Sequence, residues 1–130
     1  MSATERIRLL SAEAHAAEAA QAEGTVLALA NDADVSEHAE AIARAARVEL
    51  HFPAFTDGRA YSQAYLVRRR LGFRGDLRAT GEVLADQLQM MERTGFSSAV
   101  LAEGVAPDDA QRQLDRFPAF YQADLRQPAD

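Results

Sequence analysis

The sequence predicts an α/β fold with a parallel sheet, built from four successive strand–helix units. Three observations carry that prediction. Short apolar runs of strand length recur at 25–30, 48–52, 76–80 and 97–102. A segment with helical spacing of apolar residues follows each run. Turn-forming residues such as Gly24, Asn31-Asp32, Asp57-Gly58, Gly72 and Gly95 punctuate the chain. Strands that alternate with helices need crossover connections, and such connections give parallel pairing.

The elements follow in order. Residues 4–23 are rich in Ala and Glu and read as a helix, with Ile7, Leu10 and Ala14 as a thin apolar stripe and Gly24 as its stop. "TVLALA" (25–30) is the first strand. "DVSEHAEAIARAARV" is a helix capped by Asp34 or Ser36, with Ala39, Ile42, Ala43 and Ala46 on one face. "VELHF" (48–52) is the second strand. The next helix turns Ala60, Ala64, Val67 and Leu71 inward and closes at Gly72. "DLRAT" (76–80) is the third strand, and the helix after it buries Val83, Leu84, Gln87, Leu88 and Met91 before Gly95. "SSAVLA" (97–102) is the fourth strand. A last helix over 106–117 has Pro107 early and Asp108-Asp109 in its first turn. The tail from 118 reads as irregular. Two architectures fit: half of a (β/α)8 barrel, whose units are near these in length, or an open doubly wound sheet. Residues 1–24 form the N-terminal helix and 25–130 one domain. Half a barrel leaves open strand edges, which favours a homodimer.

Composition narrows the function. With 14 basic and 20 acidic residues the net charge is −6, which argues against a nucleic-acid partner. All the basic residues are arginine, so a Schiff-base lysine or a phosphate-loop lysine is excluded. There is no cysteine, which excludes disulfides, a thiol nucleophile and thiolate-held iron–sulfur clusters. His15, His38 and His51 are scattered and predict no metal site. No segment reads as a membrane span or a secretory signal, so the cytoplasm is the expected location. No residue pattern specifies a cofactor.

The chemistry concentrates in "FPAFTDGRAYSQ" (52–63), just past the second strand. Ligands of parallel α/β folds bind at the carboxyl ends of strands. Arg59 stands there at the start of a helix, and with the Tyr61 and Ser62 amides it would bind an oxyanion. Arg78, in the next strand, adds a second fork if it points the same way. Its structural alternative is an ion pair with Glu82 or Asp86. Asp57 is a helix cap or, with Glu82 across the rim, half of an acid/base pair. Arg68, Arg69 and Arg70 read as a solvated helix face or a partner surface. No nucleophile–base pair identifies a catalytic residue.

Phe55, Asp57, Gly58, Arg59, Tyr61 and Ser62 form a string that continues through Arg68, Arg70, Leu71 and Gly72, then Gly75, Leu77, Arg78, Ala79 and Gly81, and ends in Asp86, Gln87, Arg93, Gly95 and Phe96. This string resembles a family of small uncharacterised bacterial proteins, over about residues 25–125. The family usually has Asp at position 82 and Gly at position 60, where this chain has Glu82 and Ala60. The resemblance implies a link to sulfite reduction, because members are often encoded beside sulfite or nitrite reductase genes and labelled probable oxidoreductases. Lacking cysteine, this chain would serve there as an accessory or binding subunit, with sulfite reductase as partner and a small anion such as sulfite, sulfate or phosphate at Arg59 and Arg78. The alternatives are a small enzyme acting on an oxyanion- or phosphate-bearing substrate, and a half-barrel that only dimerises.

Overall fold

The computed structural model describes residues 6–20, 24–54 and 58–116. It holds one five-stranded sheet, all parallel, in the order β1-β5-β4-β3-β2. The strands are β1 (Arg8–Leu10), β2 (Val26–Leu29), β3 (Arg47–Phe52), β4 (Asp76–Gly81) and β5 (Ser98–Val100). The helices are α1 (Ala12–Ala20), α2 (Ala39–Arg44), α3 (Arg59–Tyr65), α4 (Leu88–Thr94) and α5 (Pro107–Leu114). Among the described residues no helix is long and apolar enough to cross a membrane.

β2, β3, β4 and β5 lie side by side in chain order. Right-handed crossovers that step in one direction put α2, α3 and α4 on one face of the sheet. The facing side chains are Val48, Leu50, Phe52, Leu77, Ala79 and Ala99, all fully buried with Ala64, Val67, Leu88 and Met91. Each fully buried Leu, Val, Phe or Met stabilises by roughly 1.5–3 kcal/mol. The connection from β1 to β2 runs the opposite way, from one edge to the other. The same handedness puts α1 on the other face, and the contacts of His15 and Glu18 with Arg78 and Glu49 agree.

The N-terminal segment departs from the single helix expected over 4–23. Arg8–Leu10 is a strand paired with Ser98–Val100, and Ser11 then caps α1 by accepting from the Ala14 amide at 3.1 Å. Ile7 and Leu10 are buried as expected, but Leu10 lies in β1 and Ile7 just ahead of it rather than in a helix, while Ala14 is exposed. Pairing with β5 outweighs local helix propensity here. Residues 1–5, 21–23, 55–57 and 117–130, which include Asp57 and the tail, lie outside the described residues.

The 35–44 helix starts as a 3-10 turn capped by Asp34, which accepts from the Ser36 amide, and Ala43 and Ala46 face solvent rather than the core. The helix after the third strand starts late: a 3-10 turn (Ala85–Gln87) precedes α4, and Gln87 folds back to accept from the Leu84 amide instead of entering the core.

The arginine run also departs from expectation. α3 continues into a π turn (Leu66–Arg70), closed by the Leu71 amide donating to the Leu66 carbonyl at 3.0 Å. The wider turn shifts the helical phase and swings Arg68 inside, where it is 3% exposed. Its guanidinium donates to the carbonyls of Gly95 (2.8 Å), Phe73 (3.0 Å) and Gly75 (2.8 Å). Arg68 is therefore a clamp between loops, and only Arg69 and Arg70 face solvent. Gly95 makes room for it. Its φ is +108°, and a Cβ there would come within 2.7 Å of the Arg68 Cγ. Gly95→Ala is expected to destabilise the protein by about 1–3 kcal/mol through strain at that angle. A urea titration checks this, with the midpoint falling and the slope unchanged.

Candidate functional site

β3 and β4 are the longest strands and end together, with Phe52 opposite Gly81. Gly81 has φ +93°, and a Cβ on it would sit 2.3 Å from the Phe52 carbonyl oxygen. That carbonyl accepts from the Glu82 amide at 2.8 Å, so the chain leaving β4 folds tightly over the end of β3. The His51 ring lies against Gly81 and reaches the Thr80 hydroxyl at 3.4 Å. An open cleft of ≈ 550 Å³ forms at this carboxyl-end rim, with His51, Pro53, Gly81, Glu82, Leu84 and Glu103 among its walls. Among the described residues, no group of three or more His, Cys, Asp or Glu is placed to hold a metal ion.

The other expected rim residues stand at the start of α3. Arg59 and Ser62 are exposed. Tyr61 is half-buried, its ring edge-on to Phe52 at 5.0 Å. Burial pushes the Tyr61 phenol pKa up, and the Asp86 charge adds to the shift. The Tyr61 amide donates to the Gly58 carbonyl at 3.1 Å, so it is engaged within the turn. Gln63, one turn on, donates to the carbonyls of Ala30 and Ala33 and ties α3 to the loop after β2. Its Oε1 is buried with no hydrogen-bond partner among the described residues.

Arg78 does not join this rim. It sits in the central strand and points to the α1 face, opposite α3, with 0% exposure. Its Nε donates to Ser98 Oγ at 2.8 Å. One terminal nitrogen meets His15 Nδ1 at 2.9 Å, and the other donates to Glu18 (2.9 Å) and Asp76 (3.0 Å). The ion-pair partners are thus Asp76 and Glu18 rather than Glu82 or Asp86. The reason is register. Alternation along β4 puts Asp76, Arg78 and Thr80 on one face, while Glu82 and Asp86 lie beyond the strand's end.

The same face carries Arg47, Glu49 and His51 from β3, Ser98 from β5 and Arg8 from β1. Arg47 Nε donates to Glu49 at 3.0 Å. Because arginine only donates, His15 Nδ1 must accept, and the ring is neutral with its proton on Nε2, 3.8 Å from Glu49. Burial pushes the His15 pKa down, with Arg78 and Arg47 adding to the effect against the Glu49 charge. The Arg78 hydrogen bond, helped by Arg8, holds Glu18 below the usual carboxylate range. Burial alone would raise Asp76, but the Ser97 and Ser98 hydroxyls, each donating at 2.7 Å, and the arginine charges outweigh it and hold it low.

Sequence reasoning missed His15, Glu18 and Arg47. Their signal was the polar-apolar alternation "RVELHF" and "DLRATG", which marks one polar sheet face, and the spacing of His15 and Glu18, which share one side of a helix.

A parallel α/β domain with an open cleft at the strand ends, and a closed arginine–carboxylate network on the opposite face, is the class this chain defines. It belongs to the family described as bacterial protein of unknown function, DUF934, which it matches over residues 26–130. No curated protein and no solved structure matches the chain. β1 and α1 lie ahead of the matched residues, yet they supply His15 and Glu18 to Arg78.

Acid should weaken this network first. Glu18 and Asp76 bind protons less readily folded than unfolded, so their stabilisation is complete above the ordinary carboxylate range and is lost as pH falls through their depressed folded values. His15 acts in the same direction, because the unfolded chain takes up its proton first, from about pH 6.5 downward. The urea midpoint is expected to begin falling below about pH 6.5 through His15 and to fall further below about pH 4.5, and this second, acid limb should be shallower in Glu18→Gln.

Proposed function

We propose that this protein is a binding or accessory subunit in assimilatory sulfite reduction, with the carboxyl-end rim as its working surface and sulfite reductase as its partner. The observation that carries the choice of surface is the rim cleft, which His51, Glu82 and Glu103 help to line, while Arg59 and Ser62 at the start of α3 are exposed. The two deepest arginines, Arg68 and Arg78, are engaged within the fold and away from this cleft. The orphaned Gln63 oxygen adds a buried acceptor on the rim side of α3. The chemical link to sulfite rests on the resemblance of the "FxDGRxYS" string and its continuation.

The neighbouring order of β2, β3, β4 and β5 supports a half-barrel arrangement of these four units. The uncharged edge strand β2, with Val26 37% exposed, supports a homodimer formed along that edge.

A second reading, a small enzyme acting on an oxyanion substrate, is favoured by the imidazole and two carboxylates in one cleft. The same carboxylates oppose an anion inside it, so the anion would sit outward, at Arg59 and Ser62.

Sedimentation of the purified protein with sulfite reductase holoenzyme tests the first reading. A complex at micromolar concentration, weakened about tenfold or more by Arg59→Ala, is the expected result (about 1.4 kcal/mol). No complex, with sulfite or phosphate raising the thermal midpoint of the wild type but not of Arg59→Ala, would replace it with the enzyme reading.

A further inference from the structure

The Glu18 carboxylate is held as a ligand is held. Arg8 reaches both of its oxygens, NH2 to Oε1 and NH1 to Oε2, at 3.1 Å each. Arg78 donates to Oε1 at 2.9 Å, and Arg47 stands 3.9 Å away. These arginines come from β1, β4 and β3, so three strands of the sheet converge on one carboxylate. Two-oxygen recognition by arginine forks is the usual chemistry of carboxylate, sulfate and phosphate sites.

The helix that delivers this carboxylate has little else to hold it. No described side chain of α1 is buried, and Ala12, Ala14, Ala16 and Ala17 are exposed. His15 and Glu18 are its polar contacts to the sheet. A nine-residue helix is marginal without tertiary packing. Charge makes the site receptive once the helix leaves. Arg8, Arg47 and Arg78 then face Asp76 and Glu49, three positive charges against two negative, and the surplus is one positive charge. The rest of this face is already open, since Val26, Ala28 and His51 are exposed.

We propose that the sheet face beneath α1 is an oxyanion-binding site, that Glu18 is its internal occupant, and that a small carboxylate, sulfate or phosphate group binds Arg8, Arg47 and Arg78 by displacing the α1 helix. The site is separate from the carboxyl-end rim and does not depend on it. Arg78 keeps Asp76 and Ser98 as partners throughout, so the central strand is never left with a bare charge.

The test uses the full chain with Glu18→Gln, which keeps the helix and removes the competing charge. Thermal unfolding is followed against sulfate, phosphate and acetate at constant ionic strength. Glu18→Gln is expected to bind at least one of these at least tenfold more tightly than the wild type. Arg8→Gln or Arg47→Gln added to it should abolish the gain, and Arg59→Ala should leave it unchanged. In the wild type, saturating anion should lower hydrogen-exchange protection of amides 15–18 while leaving β4 protected. The proposal is overturned if Glu18→Gln binds none of the three more tightly, or if the gain survives loss of Arg8 and Arg47. A gain lost with Arg59→Ala assigns the anion to the rim and overturns it too. Failure of Glu18→Gln to fold does the same, because the site requires a sheet that stands with α1 undocked.

Discussion

A guanidinium with no solvent exposure in the middle strand of a parallel sheet has to be neutralised where it stands. Moving an isolated charge out of water costs several kcal/mol even after relaxation, and only close partners return it. Arg78 meets that demand through four groups drawn from three elements: Ser98 of β5, Asp76 of its own strand, and His15 and Glu18 of α1 on the helix side, with Arg47 and Glu49 of β3 flanking them. Asp76 is in turn fixed by Ser98, which starts β5 against β4, and by Ser97 just ahead of it, whose amide donates to the Leu77 carbonyl. One buried cation thereby sets the polar character of a whole sheet face and the resting place of the first helix.

The same constraint recurs at the other end of the N-terminal segment. Glu92 of α4 is 1% exposed, and its carboxylate accepts from Arg6 at 2.9 and 3.1 Å and from the Ile7 amide at 2.9 Å. A buried anion and a buried cation of the family-matched region are thus both met by residues that precede that region. Between them, β1 completes the sheet by pairing with β5. The segment is part of the fold's charge balance, and its two halves differ in kind. Arg6, Ile7 and β1 are anchored by buried groups, whereas α1 rests on the surface network.

Much of this was legible in the sequence. The four later strands declared themselves as short apolar runs between turn residues, and the Gly95 stop is left-handed as its position implies. Pro107 and the two aspartates marked α5. What escaped were features decided by tertiary contact. A three-residue strand carries too little pattern to outweigh the helix-forming alanines beside it. Arg68 was hidden by a π turn, which breaks the periodicity on which an outward assignment rests. At the rim, sequence order put Arg59 and Arg78 in neighbouring units, and only register and the direction of the pleat show that Arg78 points to the α1 face, opposite the helix that Arg59 begins. The cleft's acid and imidazole groups, His51, Glu82 and Glu103, come together from three strand ends that no local motif links.

The most direct test replaces the buried cation with an apolar side chain of similar length, Arg78→Met, and follows amide hydrogen exchange in α1 together with urea unfolding. Removing one partner of a buried charge network strands the others, so stability should fall by about 3 kcal/mol or more, and protection of amides 15–18 should fall to that of an undocked helix while the β3 and β4 ladder persists. A variant as stable as the wild type, with α1 protected as before, would contradict the account, because the helix would then be held by something other than Arg78.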